Sequence, residues 1–302
     1  MSNFGKVIVM IELDFMLTRK CNAVCPICFT NSSDNLSTAL SVQDIFSYLN
    51  TVYTQHAEVE VHFTGGEPCC FPNFYELLFQ VDTIGIPYQF VTNATLLDTS
   101  KLRNLKNLKS VVFSLYGCEK YHNQFVGVEN AFQKIKHSII EVSALKIATQ
   151  INITCFDNNI DEIRALLSDS LFLFANKIKL YPVLAKGRAR KHRISITENQ
   201  YSLLVNDINS NYKLRDKAHF HNHLTFTSVG CSNSRSLFID EHGNIYPCLT
   251  LSSASCLCGN IRNTTLTISE LIELSRQYRC TESINCSKNL SSMQLNGFLG
   301  GK

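Results

Sequence analysis

The sequence predicts an α/β protein: a partial (β/α)6 parallel barrel followed by a small cysteine-rich C-terminal domain. Three observations carry that prediction. Six short runs rich in β-branched residues alternate with helical patterns between residues 7 and 183. The alternation then stops at a polar basic run, Lys186–Arg193, and six of the thirteen cysteines fall after residue 230. Strand–helix alternation implies parallel βαβ units. Closure as an eight-unit barrel would require two further units, which the sequence does not supply. A length of 302 residues is compatible with two domains, placed at 1–195 and 196–302.

The elements follow in order. Residues 7–14 form a buried strand, and a cysteine loop leads to a helix over 41–54 with Ser41 as N-cap. Strands are expected at 58–63, 88–92, 110–115, 146–154 and 177–183. The intervening helices are expected at 74–81, 98–105, 128–142 and 159–168. Beyond the basic run comes a helix at 197–208 capped by Thr197. Short strands at 236–240 and 245–246 meet across a His242-Gly243-Asn244 turn, and a last helix covers 267–277.

Composition excludes several classes. Hydrophobic residues at 45 % and charged residues at 18 % exclude a disordered chain. A net charge of +3 calls for neither nucleic acid nor membrane. No apolar run approaches the ~20 residues of a membrane span, and Glu12 and Asp14 interrupt the one early candidate for a signal. The expected location is therefore cytoplasmic. In a reducing cytosol, thirteen cysteines point to metal or thiolate chemistry rather than disulfides.

The densest group is Cys21-Asn22-Ala23-Val24-Cys25-Pro26-Ile27-Cys28, a CxxxCxxC loop. Three thiolates on one short loop can hold three irons of a 4Fe–4S cubane, leaving the fourth open to an exogenous ligand. A zinc site would want a fourth Cys or His nearby, and His56 and His62 lie outside the loop. Thr64-Gly65-Gly66-Glu67-Pro68 ends the second strand, Thr92-Asn93-Ala94 the third and Ser114-Leu115-Tyr116-Gly117 the fourth. All therefore face the C-terminal mouth of the sheet, where parallel sheets bind ligands.

These segments resemble the radical S-adenosylmethionine (SAM) enzymes, over residues 8–195. The resemblance implies that Cys21, Cys25 and Cys28 hold a SAM-binding 4Fe–4S cluster and that Gly65, Gly66 and Glu67 meet the SAM ammonium. It implies that Ser114 meets the ribose, that Asn93 belongs to the same site, that Leu184 lines the adenine side, and that Gly187 and Arg188 belong to the cofactor-binding loop after strand six. It further implies reductive SAM cleavage and an electron donor such as flavodoxin or ferredoxin. The sequence departs from the pattern at Ile27, where an aromatic is usual and Phe29 is the substitute, and at Ala94, where Gly is usual. Val126 stands near where some relatives carry an Arg, so no carboxylate contact is assigned.

Cys231, Gly243 and Cys248 resemble the first half of a SPASM or twitch auxiliary-cluster domain. One auxiliary 4Fe–4S cluster is expected on Cys231, Cys248, Cys280 and Cys286, with Cys256 or Cys258 as alternative ligands and a four-thiolate zinc site as the other possibility. The unused pair, Cys256 and Cys258, are candidate catalytic hydrogen donors to a substrate radical. His219, His221 and His223 alternate, but without a carboxylate partner they are expected to form a polar edge.

Enzymes of this layout mostly modify ribosomally made peptides by epimerisation, thioether formation or crosslinking. Only 20 residues precede Cys21, so a separate leader-peptide-binding protein or a small substrate is expected. A dehydrogenase or epimerase of sugars or aminoglycosides is the main alternative, and a non-enzymatic metal-binding module the third.

Overall fold

The computed structural model describes residues 10–34, 38–56, 58–210, 218–220 and 235–279. The chain runs β1 (Ile11–Met16), α1 (Val42–Gln55), β2 (Val59–Thr64), α2 (Phe74–Ile84), β3 (Tyr88–Thr92) and β4 (Leu108–Leu115). It continues through α3 (Glu119–Val126), α4 (Ala131–Ala144), β5 (Ala148–Cys155), α5 (Ile160–Leu166) and β6 (Lys177–Pro182). Then come α6 (Gly187–Lys191), α7 (Glu198–Asn209), β7 (Ala218–Phe220), β8 (Ser236–Ile239), β9 (Asn244–Tyr246) and β10 (Gly259–Asn260). A last helix, α8, covers 268–279.

The strands of the described residues form one sheet of ten, ordered β10-β9-β8-β1-β2-β3-β4-β5-β6-β7. β1 to β6 are parallel throughout, as the alternation predicts. The chain also returns to both edges of this set. β7 adds parallel to β6, and β8 parallel to β1. The later segment therefore continues the sheet of the first: the strand expected at 236–240 is β8, and its parallel pairing with β1, together with the strand β7, is what the sequence did not reveal.

The sheet is curled. Five strand spacings separate β1 from β6, about 24 Å if flat. Yet Arg188, just after β6, donates from Nε to the carbonyl of Cys25, just after β1, at 2.7 Å. Alternation sorts the two faces. Leu13, Phe15, Val61, Phe63, Ile178 and Leu180 are buried in the main core. Asp14, His62, Gln89, Ser110, Asn152, Lys179 and Tyr181 occupy the other phase of their strands, on the inner face of the curl.

Three expected elements differ. Residues 98–105 hold only a 3-10 turn, Thr99–Leu102, because the Asp98 carboxylate caps Ser100 locally and one turn suffices to bury Leu102. The helix expected at 128–142 begins at Ala131, after α3 has ended at Gly127 in the left-handed region. The basic run, where the strand–helix alternation was expected to stop, contains the short helix α6.

Candidate active site

The CxxxCxxC loop leaves β1 and crosses the C-terminal mouth. The Leu17 N–H donates to the Thr64 carbonyl at 2.8 Å and the Glu67 N–H to the Lys20 carbonyl at 3.0 Å, tying loop to sheet. Gly66 is required here. A Cβ on it would lie 2.5 Å from the Lys20 carbonyl oxygen and 2.9 Å from Cys21 Cβ. On the far side, Arg188 Nη1 donates to the Ser32 carbonyl at 2.6 Å and the Arg188 N–H to the Cys28 carbonyl at 2.9 Å. Gly187 sits at φ +56°, and a Cβ there would overlap the Cys28 carbonyl oxygen. Arg188 thus braces the loop through its backbone.

A third set of bonds fixes the mouth. Asn22 Nδ2 donates to Thr95 Oγ1 at 2.7 Å, and Asn93 Nδ2 donates to Asn22 Oδ1 at 3.1 Å. Glu67 lies beneath. It is 1 % exposed and accepts from Thr92 Oγ1 (2.7 Å), the Asn93 N–H (2.7 Å) and the Cys69 N–H (3.2 Å). Burial raises its pKa, against the pull of those donors. Its side chain therefore joins the ends of β2 and β3. It does not line the pocket, unlike the neighbouring Gly65 and Gly66.

One cavity of about 360 Å³ opens at this mouth, within the ~300–1,000 Å³ range of small-molecule sites. Cys21, Cys25, Cys28, Gly65, Gly66, Asn93, Ser114, Leu184 and Arg188 all line it. Ile27 and Phe29 both line it too, as does the buried Val126. Sequence reasoning passed over Tyr116, Thr154 and Tyr181, which also face this cavity. Tyr116 had a signal, since it sits inside the Ser114–Gly117 segment. Tyr181 had only its place near the end of a strand.

The sulfurs are electrostatically distinct. Burial pushes Cys21 and Cys25 up to about 12. Burial also opposes ionisation of Cys28, but the Thr30 hydroxyl, the Ser32 N–H and Arg188 together outweigh it and lower its pKa. Among the described residues, no three His, Cys, Asp or Glu side chains are gathered closely enough for one metal ion. A cubane takes each thiolate on a separate iron, so three thiols spread around one pocket suit a cluster better than a single zinc.

The radical SAM superfamily model matches residues 15–169, about half of the chain. The chain belongs to the radical SAM superfamily. Membership makes it an enzyme and implies a 4Fe–4S cluster and SAM. It is 24 % identical over 183 residues to the PqqA peptide cyclase of Bradyrhizobium diazoefficiens, covering 60 % of this chain and 48 % of that one. It is 23 % identical over 181 residues to the sporulation killing factor maturation protein SkfB of Bacillus subtilis, covering 59 % and 44 %. The chain thus spans about half the length of these two curated relatives. In fold it is similar to Streptococcus suis SuiB bound to S-adenosylmethionine, with a TM-score of 0.71 at 17 % identity over 89 % of this chain and 68 % of that one. SuiB has also been solved bound to the precursor peptide SuiA.

Within this radical SAM chain, the later cysteines are arranged differently. Cys231, Cys280 and Cys286 lie outside the described residues, as do His221, His223 and the side chain of His219. Cys248 is partly exposed beside Leu249, which lines the pocket. Lys186 Nζ donates to the Leu249 carbonyl at 3.2 Å while lying 4.7 Å from the Phe29 ring centroid. Cys256 and Cys258, expected at the reacting carbon, are 2 % and 7 % exposed and do not line the pocket. Cys258 packs in the main core, its N–H donating to Ile245 of β9 at 2.8 Å. The short Cys-x-Cys spacing directs this thiol into the core because the segment enters β10 against β9.

Proposed function

We propose that this radical SAM enzyme modifies a carbon of a ribosomally made peptide. The observation that carries the reading is a pocket at the mouth of the curled sheet, where three thiols meet the Gly65-Gly66 turn, Asn93 and Ser114. The names of two relatives, a peptide cyclase and a killing-factor maturation protein, favour peptide chemistry. Cys21, Cys25 and Cys28 would hold the cluster. Gly65, Gly66 and Asn93 would meet the methionyl end of SAM, Ser114 the ribose and Leu184 the adenine. Glu67 and Arg188 would act through the backbone they brace. When bound, cluster and SAM supply a 5′-deoxyadenosyl radical that can take hydrogen from an unactivated carbon.

The protein's own work is to orient the two partners and exclude water. Tyr116, partly buried beside Cys21 and Cys25, closes one wall. The two-domain division at residue 195 and an auxiliary cluster on Cys231, Cys248, Cys280 and Cys286 belong to the same proposal. The position of Cys248 beside the pocket-lining Leu249 supports the latter. An electron donor such as flavodoxin and a separate leader-binding protein complete the system.

The test is turnover of the reconstituted chain in deuterated water, with short peptides encoded beside its gene. One deuterium at a carbon indicates epimerisation. Loss of two mass units without label indicates oxidation, thioether formation or crosslinking. A modified sugar with unmodified peptides would overturn the peptide reading.

A further inference from the structure

Eight-stranded parallel barrels fill their interiors with branched apolar side chains. The inner face of this curl is polar instead. On β1 and β2 it carries Asp14, Glu60 and His62, and on β6 it carries Lys177, Lys179 and Tyr181. The two walls are balanced differently. His62 stands between its acids, with Nδ1 2.9 Å from Asp14 Oδ1 and Nε2 3.3 Å from Glu60 Oε1. Burial disfavours its charge, but the two carboxylates outweigh that and raise its pKa to about 9. The acidic wall therefore contains its own cation.

Lys179 has no such partner. Its neighbours Ile178 and Leu180 are buried in the core behind the sheet, so its side chain points inward. It is half-buried and makes no hydrogen bond or ion pair among the described residues. Burial lowers its pKa, and Lys177 beside it adds to that, while Glu12, Glu60 and Asp14 act on it across the interior without pairing. A half-buried ammonium left without a paired anion is costly, and among the described residues no carboxylate comes within ion-pair distance of it.

We infer that Lys179 anchors a carboxylate of the substrate below the SAM pocket. The inference rests on the peptide reading above. Tyr181, two residues on along the same face, lines the pocket, so the Lys179 backbone sits about 7 Å below it. Consecutive residues of a peptide are about 3.8 Å apart. The acidic residue is therefore the modified residue or its immediate neighbour. The opposing carboxylates favour a monoanion over a phosphate, because each added negative charge is repelled by Asp14, Glu60 and Glu12. Lys177, one layer deeper, is too far from the mouth to serve the reacting residue.

The test uses the reconstituted full chain with SAM and no reductant, so binding is read apart from turnover. The probes are capped tripeptides, acetyl-Gly-X-Gly-amide with X as Asp, Glu, Asn or Gln, together with glucuronate and glucose. Saturation-transfer NMR reports which bind. The acidic peptides should bind at least fivefold better than their amide counterparts. Lys179→Met should remove that preference, Lys179→Arg should keep it and Lys177→Met should leave it in place. SAM affinity and the melting curve of Lys179→Met should match wild type, which separates lost recognition from misfolding. Equal binding of acids and amides, or a preference that survives Lys179→Met, overturns the inference. Glucuronate bound through Lys179 while no peptide binds would keep the anion site and overturn the peptide reading instead.

Discussion

The two cysteine-bearing regions of this chain differ in what holds them. Cys21, Cys25 and Cys28 sit on one loop that the rest of the mouth grips from three directions: Gly66 from β2, Arg188 from α6 and the Asn22–Thr95–Asn93 set from β3. Cys248, Cys256 and Cys258 share a short segment too, yet only the first lies next to a pocket-lining residue. Local spacing alone therefore does not make a site. The first loop is a site because long-range backbone bonds present all three thiols to one cavity, and those bonds come from residues up to 163 positions away.

This contrast can be broken by mutation. Cys21→Ala, Cys25→Ala and Cys28→Ala together should remove about four irons and all SAM cleavage. Cys248→Ala should leave those four irons in place. Iron and sulfide assays after anaerobic reconstitution check both. If the triple variant kept its iron, the two regions would have exchanged roles.

Gly187→Ala should have the next largest effect. It places a side chain in the left-handed region and against the Cys28 carbonyl. The left-handed strain and the overlap together should cost about 2–5 kcal/mol, read by chemical denaturation, with lower iron retention. Glu67→Gln should cost about 1.5–3 kcal/mol by weakening bonds to a buried carboxylate. Because Glu67 braces the turn rather than lining the pocket, SAM binding should fall while iron stays.

His62 sharpens the account of the inner face through pH. Its folded pKa of about 9 lies above the ordinary ~6.5. Its contribution to stability is therefore complete below pH ~6.5 and lost as pH rises through 9. The melting temperature of His62→Asn should fall below wild type at pH 6 and converge with it by pH 10. The smallest effect is a gain. Ala94 occupies φ +56°, where relatives of this family usually have Gly. Ala94→Gly should stabilise by up to about 1 kcal/mol, measured by denaturation.

Much of the mouth was legible because short motifs at strand ends must converge once the strands are parallel. Gly65, Gly66, Asn93 and Ser114 needed nothing more. What stayed hidden depends on curvature and distant partners. The resemblance placed Arg188 in the site, but nothing local shows that its guanidinium will find the carbonyls of Cys25 and Ser32. The burial of Glu67 under three donors was hidden for the same reason, since two of those donors come from the end of β3. Alternation along β6 shows that Lys179 shares a face with Tyr181, but only the curl brings that face opposite Asp14 and Glu60.

The central claim is that the CxxxCxxC loop and the strand ends around it assemble the SAM-cleaving site without the later cysteines. The direct measurement is 5′-deoxyadenosine released from SAM after dithionite reduction of the anaerobically reconstituted chain, compared with its Cys21, Cys25 and Cys28 triple alanine variant. The account predicts 5′-deoxyadenosine and methionine in equal amounts from wild type, none from the triple variant, and continued release from Cys248→Ala. Release by the triple variant, or none from wild type carrying its full complement of iron, would contradict it.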